Sequence, residues 1–321
     1  MFRPLITIRR IPNINFMGLH KLGFALSLLL TVGSIVLFLV QGLNYGIDFS
    51  GGTRIDIKSL DGPADLGKLR STLDGLGLGN MSLQGLDAAD EVVMIRFPRQ
   101  PGDDQAQQTA VTKVKQALGD HVEYRRTEVV GPTVGKELIR AGVMATVLAL
   151  LAIAAYVWLR FEWQFGIGAM LSTVHDTVTT VGLFALLQIE FNLTTLAAIL
   201  TVAGYSINDT VVIYDRVRET MRKHRSMDFN LLINKSLNET LSRTILTVST
   251  VALAVLSLLI FGGEVLRGFS IAMLWGIVVG TYSSLFIAAP LLYYIRPRGG
   301  GGAQARDKEA DAVPAEAERV S

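Results

Sequence analysis

The stretch AGYSINDTVVIYDRVRE, residues 203–219, starts as an apolar helix and ends as a charged surface, yet Asn208 and Asp209 arrive before the apolar run is over. A carboxylate at that depth is costly in hydrocarbon unless it faces protein or water, or carries a proton. At about 100° per residue, Thr201, Gly204, Tyr205, Asn208 and Asp209 share an arc of about 140°. This polar stripe is expected to face another helix.

Reading outward, six apolar runs are long enough for a bilayer, which takes about 20 residues. They are 21–41, 139–159, 165–188, 193–214, 244–261 and 269–295. The chain has 321 residues, half of them hydrophobic, and reads as an α-helical polytopic membrane protein with six transmembrane helices. A basic leader, residues 1–20, carries Arg3, Arg9 and Arg10, with Lys21 at its edge. The first run is too long for a signal peptide and no A-x-A-like site follows it, so it reads as an uncleaved anchor.

Basic residues near the spans set the orientation. The leader has no acid, and segment 215–243 has seven Lys and Arg against four acids, which places both in the cytoplasm. Segment 44–138 has eleven against fourteen and falls on the periplasmic side. Both termini are then cytoplasmic in a bacterial inner membrane, with Arg296 and Arg298 closing the last span. The tail, 296–321, has almost no large apolar side chains and is expected to be disordered. A net charge of +2 is too small to suggest nucleic acid, and without cysteine there is no disulfide framework or thiolate site.

Between the first two spans, residues 42–138 read as one soluble domain. TRIDIKSL (53–60) alternates like a strand, PADLGKLRSTLDGLG (63–77) like a helix between Pro and Gly, and MSLQGL (81–86) with EVVMIRF (91–97) like a hairpin around Asp87–Asp90. A second helix (103–119) and a strand (122–130) complete a βαββαβ order, that of a ferredoxin-like α+β domain. GPTVGKEL (131–138) is not a phosphate loop: its glycine spacing is one residue short and Glu137 stands where Ser or Thr would bind magnesium. Gly131 and Pro132 are expected to shape the entry into the second span. Gly51 and Gly52, in DFSGG (48–52), either hinge the first span to the domain or make an ordinary strand-entry turn.

Asp176 and Asp209 are the acids well inside spans. Asp209 is about 9 Å deep, counted from Asp215 at 1.5 Å per residue. Arg243 begins the fifth span from the same side and is expected to reach it. A carboxylate beside a guanidinium stays ionised, whereas a buried one without a partner favours the protonated form, so such a pair can switch. A static ion pair is the alternative. Asn208, which does not titrate, is read as an interhelical hydrogen-bond donor. Ser172, Asp176, Thr179 and Thr180 share a face beside His175, which is either a proton relay or a packing residue. A metal site is not expected, because His175 and Asp176 point about 100° apart on a helix. Gly276 and Gly280 form a GxxxG packing pattern, and Gly204 provides a further close-approach position.

The blocks NYGIDFSGGT (44–53), VGPTVGKEL (130–138), the stretch from His175 to Glu219, LSRTI (241–245) and FGGEVLRGFS (261–270) resemble, in family order, the SecD/SecF protein-export family of the resistance-nodulation-division superfamily, on its SecF branch. The resemblance implies a six-helix half that pairs with SecD and docks on the SecYEG channel, often with YajC. In that family the complex uses the proton motive force to help unfolded preproteins finish crossing the lipid bilayer after SecA has started them. It also implies that Asp209 and Arg243 match the family's proton-transport aspartate and arginine. No cofactor is implied beyond a coupling ion, H+ or Na+, and no enzyme activity. The competing readings are a small-molecule efflux half-transporter, which would need far larger outer domains, and a non-energised scaffold.

Overall fold

The computed structural model describes residues 13–86, 91–102 and 104–297. The leader arginines, the turn at 87–90 and residues 298–321 lie outside these. The elements run α1 (Phe16–Gln41), α2 (Ile47–Ser50), β1 (Gly52–Ser59), α3 (Leu66–Asp74), β2 (Ser82–Gly85), β3 (Val92–Phe97), α4 (Asp104–Leu118), β4 (Val122–Val130), α5 (Pro132–Arg160), α6 (Trp163–Leu187), α7 (Leu193–Lys223), α8 (Phe229–Phe261), α9 (Gly263–Ser283), a π-helical turn (Ser284–Ala288) and α10 (Ala289–Ile295). Among the described residues six helical segments are long and apolar enough to cross a membrane. The fold is thus a polytopic helical bundle with one small antiparallel sheet.

Several helices outrun the apolar stretches that announce them. α1 begins at Phe16, where Asn15 caps it by accepting from the Gly18 N–H. Segment 215–243 is basic and joins the fourth and fifth apolar runs. It divides into the end of α7 and the start of α8, because its polar side chains pair along and between helices: Glu219 accepts from Arg216 and Lys223, and Glu239 accepts from Arg216. His224 ends α7, and Asp228 caps α8 by accepting from the Asn230 and Leu231 N–H groups. In the sheet domain the cap of α3 is Asp65, which accepts from Lys68 N–H, so Pro63 stands before the helix rather than in it.

The last span is not one α-helix. Pro290 has no N–H and its ring would clash with the Phe286 carbonyl in a regular helix. The chain instead widens into the π-helical turn, closed by the Ala289 N–H on Ser284 O. Tyr214 on α7 donates its hydroxyl to Ala288 O at 3.2 Å, and only a glycine at 168 leaves room for that phenol, since a Cβ there would lie 2.3 Å from its oxygen.

The sheet has strand order β2-β3-β1-β4, with every pair antiparallel. Period-two alternation puts Ile55, Ile57, Val93, Ile95 and Phe97 under α3 and α4 with Leu73 and Val114. The opposite face carries Arg54, Met94 and Arg96 and looks onto the membrane bundle across a cleft of ≈ 530 Å³ that it shares with Glu190 and Asn192. Gly51 (φ 71°) and Gly52 (φ 125°) make the turn into β1, and a Cβ on Gly52 would lie 2.7 Å from the Phe97 carbonyl. This turn is anchored on its bundle side. Asp48 Oδ2 accepts from the Leu193 N–H at the start of α7, the Gly46 N–H donates to Phe191 O, and Arg96 pairs with Glu190 at 3.5 Å. Gly131 is the extended residue before α5 and Pro132 its first residue, where a missing N–H costs nothing.

Candidate functional site

α6, α7 and α9 pack around a run of small and hydroxyl side chains. Gly276 on α9 lies so close to α7 that an added Cβ would sit 2.2 Å from a Val202 methyl, and at Gly280 the same atom would meet Ser206 Cβ at 3.0 Å. This close approach brings serine hydroxyls from two helices onto the Asp176 carboxylate of a third. Oδ2 accepts from Ser206 Oγ at 2.5 Å and from Ser283 Oγ at 2.8 Å, while Ser172 Oγ donates to Ser283 Oγ at 2.8 Å. His175 Nδ1 lies 3.0 Å from Asp176 Oδ1. Asp176 is wholly buried, and Thr179 and Thr180 both donate to its main-chain carbonyl. One turn beyond Ser206 on α7, Thr210 Oγ1 lies 2.8 Å from the Oγ of Ser284, the first residue of the π-helical turn. The π-helical turn therefore begins beside the buried acid.

The second acid is held differently. Asp209 is 4 % exposed, and its Oδ2 has no hydrogen-bond partner among the described residues. Arg243 acts on it electrostatically, but the two form no ion pair within 4.0 Å, and Arg243 is exposed. The expected contact between them is absent because the arginine lies on the outer surface of α8. Part of the polar stripe is likewise not against a helix of this chain: Thr201, Gly204 and Asn208 are exposed and nothing lies within 4 Å of a Cβ built on Gly204, whereas Tyr205 and Asp209 turn inward. Asn208 is therefore no interhelical donor within the chain, and Gly204 packs against none of its helices. His175 and Asp176 also depart from expectation, since their side chains converge rather than diverge; His175 Nε2 is buried without a partner. Among the described residues no three His, Asp or Glu side chains gather as a metal set.

Of the site's hydroxyls, Ser172 was expected on the Asp176 face, whereas Ser206, Ser283, Ser284 and Thr210 were not singled out in the sequence. The signal for Ser283 and Ser284 is a pair of adjacent serines in an apolar span, seven and six residues before Pro290. Outside the bundle, burial alone would lower the Arg54 guanidinium's pKa, but its bidentate bond to Asp56 and the charges of Glu190 and Glu128 hold it above its ordinary value. The Glu219 carboxyl is held below the ordinary range by hydrogen bonds from Lys223 and Arg216.

Residues 110–298 match the family described as protein export membrane protein SecD/SecF, C-terminal, and residues 36–59 match the SecD/SecF GG motif. The chain belongs to the SecD/SecF protein-export family. Its relatives include the protein translocase subunit SecF of Rickettsia rickettsii, 43 % identical over 290 residues that cover 89 % of this chain and 94 % of that one. The protein translocase subunit SecF of Cereibacter sphaeroides is 43 % identical over 297 residues, 90 % of this chain and 91 % of that one. A crystal structure of SecDF, a translocon-associated membrane protein from Thermus thermophilus, superposes with a TM-score of 0.80 at 34 % identity over 92 % of this chain. This SecD/SecF family member spans 40 % of that SecDF chain. The GG motif contains the Gly51–Gly52 turn, and the C-terminal family region contains both buried acids.

Proposed function

We propose that this chain is the SecF-type subunit of an ion-gradient-driven preprotein translocase in the bacterial inner membrane. The observation that carries this reading is the near full-length match to curated SecF subunits, joined to a buried membrane carboxylate, Asp209, left without a hydrogen-bond partner on Oδ2. The partner is SecD. The exposed stripe of Thr201, Gly204 and Asn208 supports this, because a polar stripe on a membrane helix needs a protein or water neighbour. The pair docks on SecYEG, with YajC, and acts on unfolded preprotein after SecA. Both termini are cytoplasmic and the sheet domain is periplasmic and ferredoxin-like, a class supported by its βαββαβ order with β1 at the centre.

In the proposed cycle H+ is the coupling ion and no cofactor or nucleotide takes part. Protonation of Asp209 ends its attraction to Arg243 and lets the two six-helix halves shift. That motion reaches the sheet domain through the Gly51–Gly52 turn and the Asp48 anchor on α7. A potential of 100 mV is worth about 2.3 kcal/mol per proton, enough for a modest domain reorientation.

The test is gradient-driven export in membrane vesicles containing the chain with SecD, with proton and sodium gradients imposed in turn. Asp209→Asn is expected to stall export driven by the proton gradient. Export at the normal rate with the neutral amide would leave the scaffold reading in its place.

A further inference from the structure

We propose that the end of the bundle away from the sheet domain binds the phosphate headgroup of an anionic phospholipid between α5 and α7. Both helices start beside the sheet domain, so Arg160 and Arg222 lie together at the opposite membrane face. A cavity of ≈ 230 Å³ there is lined by Arg160, Asp215, Arg218, Glu219 and Arg222.

The charges around this cavity do not balance. Glu219 is already engaged by Arg216 and Lys223, two cations that do not line the cavity, at 2.5 and 2.6 Å. Asp215 is left against three arginines, and it reaches Arg160 only at 3.5 Å, with both side chains more than half exposed. An exposed pair of this kind contributes little. Two of the guanidinium groups nevertheless meet the same ring. Those of Arg160 and Arg218 lie 5.1 and 5.3 Å from the centre of the same Phe161 ring, and Arg218 donates to Arg160 O at 3.3 Å. Two arginines that share one ring and line one cavity suit a phosphate, which guanidinium groups recognise through paired N–H donors.

The surroundings point to a lipid as the source of that phosphate. Trp158, Leu159 and Trp163, close to Arg160 in sequence, are 67 %, 89 % and 51 % exposed, the aromatic pattern of a membrane–water boundary. From there the exposed Leu151, Leu148 and Val147 continue along α5, a surface on which acyl chains can lie. Basic pockets between membrane helices near the headgroup level are suited to acidic lipids. A zwitterionic lipid brings its own ammonium group into the surplus positive charge and is disfavoured.

The test is native mass spectrometry of the full chain released from detergent, titrated with phosphatidylglycerol or with phosphatidylcholine. Preferential retention of phosphatidylglycerol is expected. Arg218→Gln and Arg222→Gln should each weaken it about fivefold, and Arg225→Gln, an exposed cation that does not line the cavity, should leave it unchanged. Asp215→Asn removes the competing carboxylate and should strengthen retention, a gain that no misfolded variant can imitate. Equal retention of both lipids, equal weakening by Arg225→Gln, no gain with Asp215→Asn, or displacement of phosphatidylglycerol by millimolar inorganic phosphate would each overturn the proposal. So would loss of lipid on adding SecD, which would make the cavity a protein contact.

Discussion

Ser283 on α9 donates its hydroxyl to Asp176 Oδ2 on α6 at 2.8 Å, and the π-helical turn begins at the next residue. Asp176 is therefore a carboxylate with its hydrogen bonds made, whereas Asp209, also buried, has an oxygen with none. Burial of a charge is tolerable when it is hydrogen-bonded and costly when it is not. The two acids differ in how their burial is compensated.

Different effects on stability are expected from the same substitution at the two positions. Asp176→Asn replaces a charged acceptor of two serine hydroxyls with a neutral one and should lower unfolding stability in detergent by about 2 kcal/mol. Asp209→Asn removes an unpaired charge and should leave stability unchanged or raised by about 1 kcal/mol. Equal losses in thermal unfolding would contradict the distinction.

Packing between α7 and α9 should be sensitive at Gly276 and indifferent at Gly204. Gly276→Ala forces a Cβ into Val202 and should cost about 1–3 kcal/mol, with recovery in the Gly276→Ala/Val202→Ala double variant. A Cβ at Gly204 meets nothing within 4 Å, so Gly204→Leu starts from open space and should not destabilise this chain alone. It should weaken co-purification with SecD, which tests whether the partner covers that stripe.

The Arg96–Glu190 pair ties β3 to the α6–α7 connection, with both side chains about one-fifth exposed. Arg96 also donates to Tyr45 O at 2.9 Å. Glu190→Gln should cost about 1 kcal/mol and speed amide exchange at 44–48 without changing exchange under α3 and α4. Uniform acceleration across the sheet domain would show that the pair supports the domain itself rather than its attachment.

Acid should loosen the end of α7 through Glu219. Its folded-state pKa is depressed, so its pairing contributes fully above the ordinary value of 4.5 and is lost as pH falls through the lower folded value. Amide exchange around 219–223 should rise in that window in the wild type, and Glu219→Gln should abolish the pH dependence. An identical acid profile in both proteins would remove Glu219 as its cause.

Restoring the missing N–H should regularise the last span. Pro290→Ala allows an α-helical bond to Phe286 O, which removes the reason for the π-helical turn and rotates Ser283 and Ser284 off Asp176 and Thr210. Stability should fall despite the better helix former, by about 1–2 kcal/mol, as the serine donors withdraw. A gain in unfolding temperature would show that the turn has some other origin.

Six membrane helices, one inserted sheet domain and its element order were legible because hydropathy, period-two alternation and turn residues act over a few neighbouring positions. The same local signals singled out Asp176 and Asp209 as expensive acids. Which helix supplies their partners is a separate matter, decided by contacts spanning 30 residues for Ser206 and 107 for Ser283. Packing at Gly276 and the turn before Pro290 aim those hydroxyls, and no periodicity encodes that direction. Arg243 was expected to touch Asp209 from sequence depth alone, but depth does not specify azimuth around a helix, and the arginine points to the surface. The sequence by itself thus determined where charge is buried. Only tertiary structure decided which buried charge is satisfied, because hydrogen bonds between helices depend on their rotation and separation.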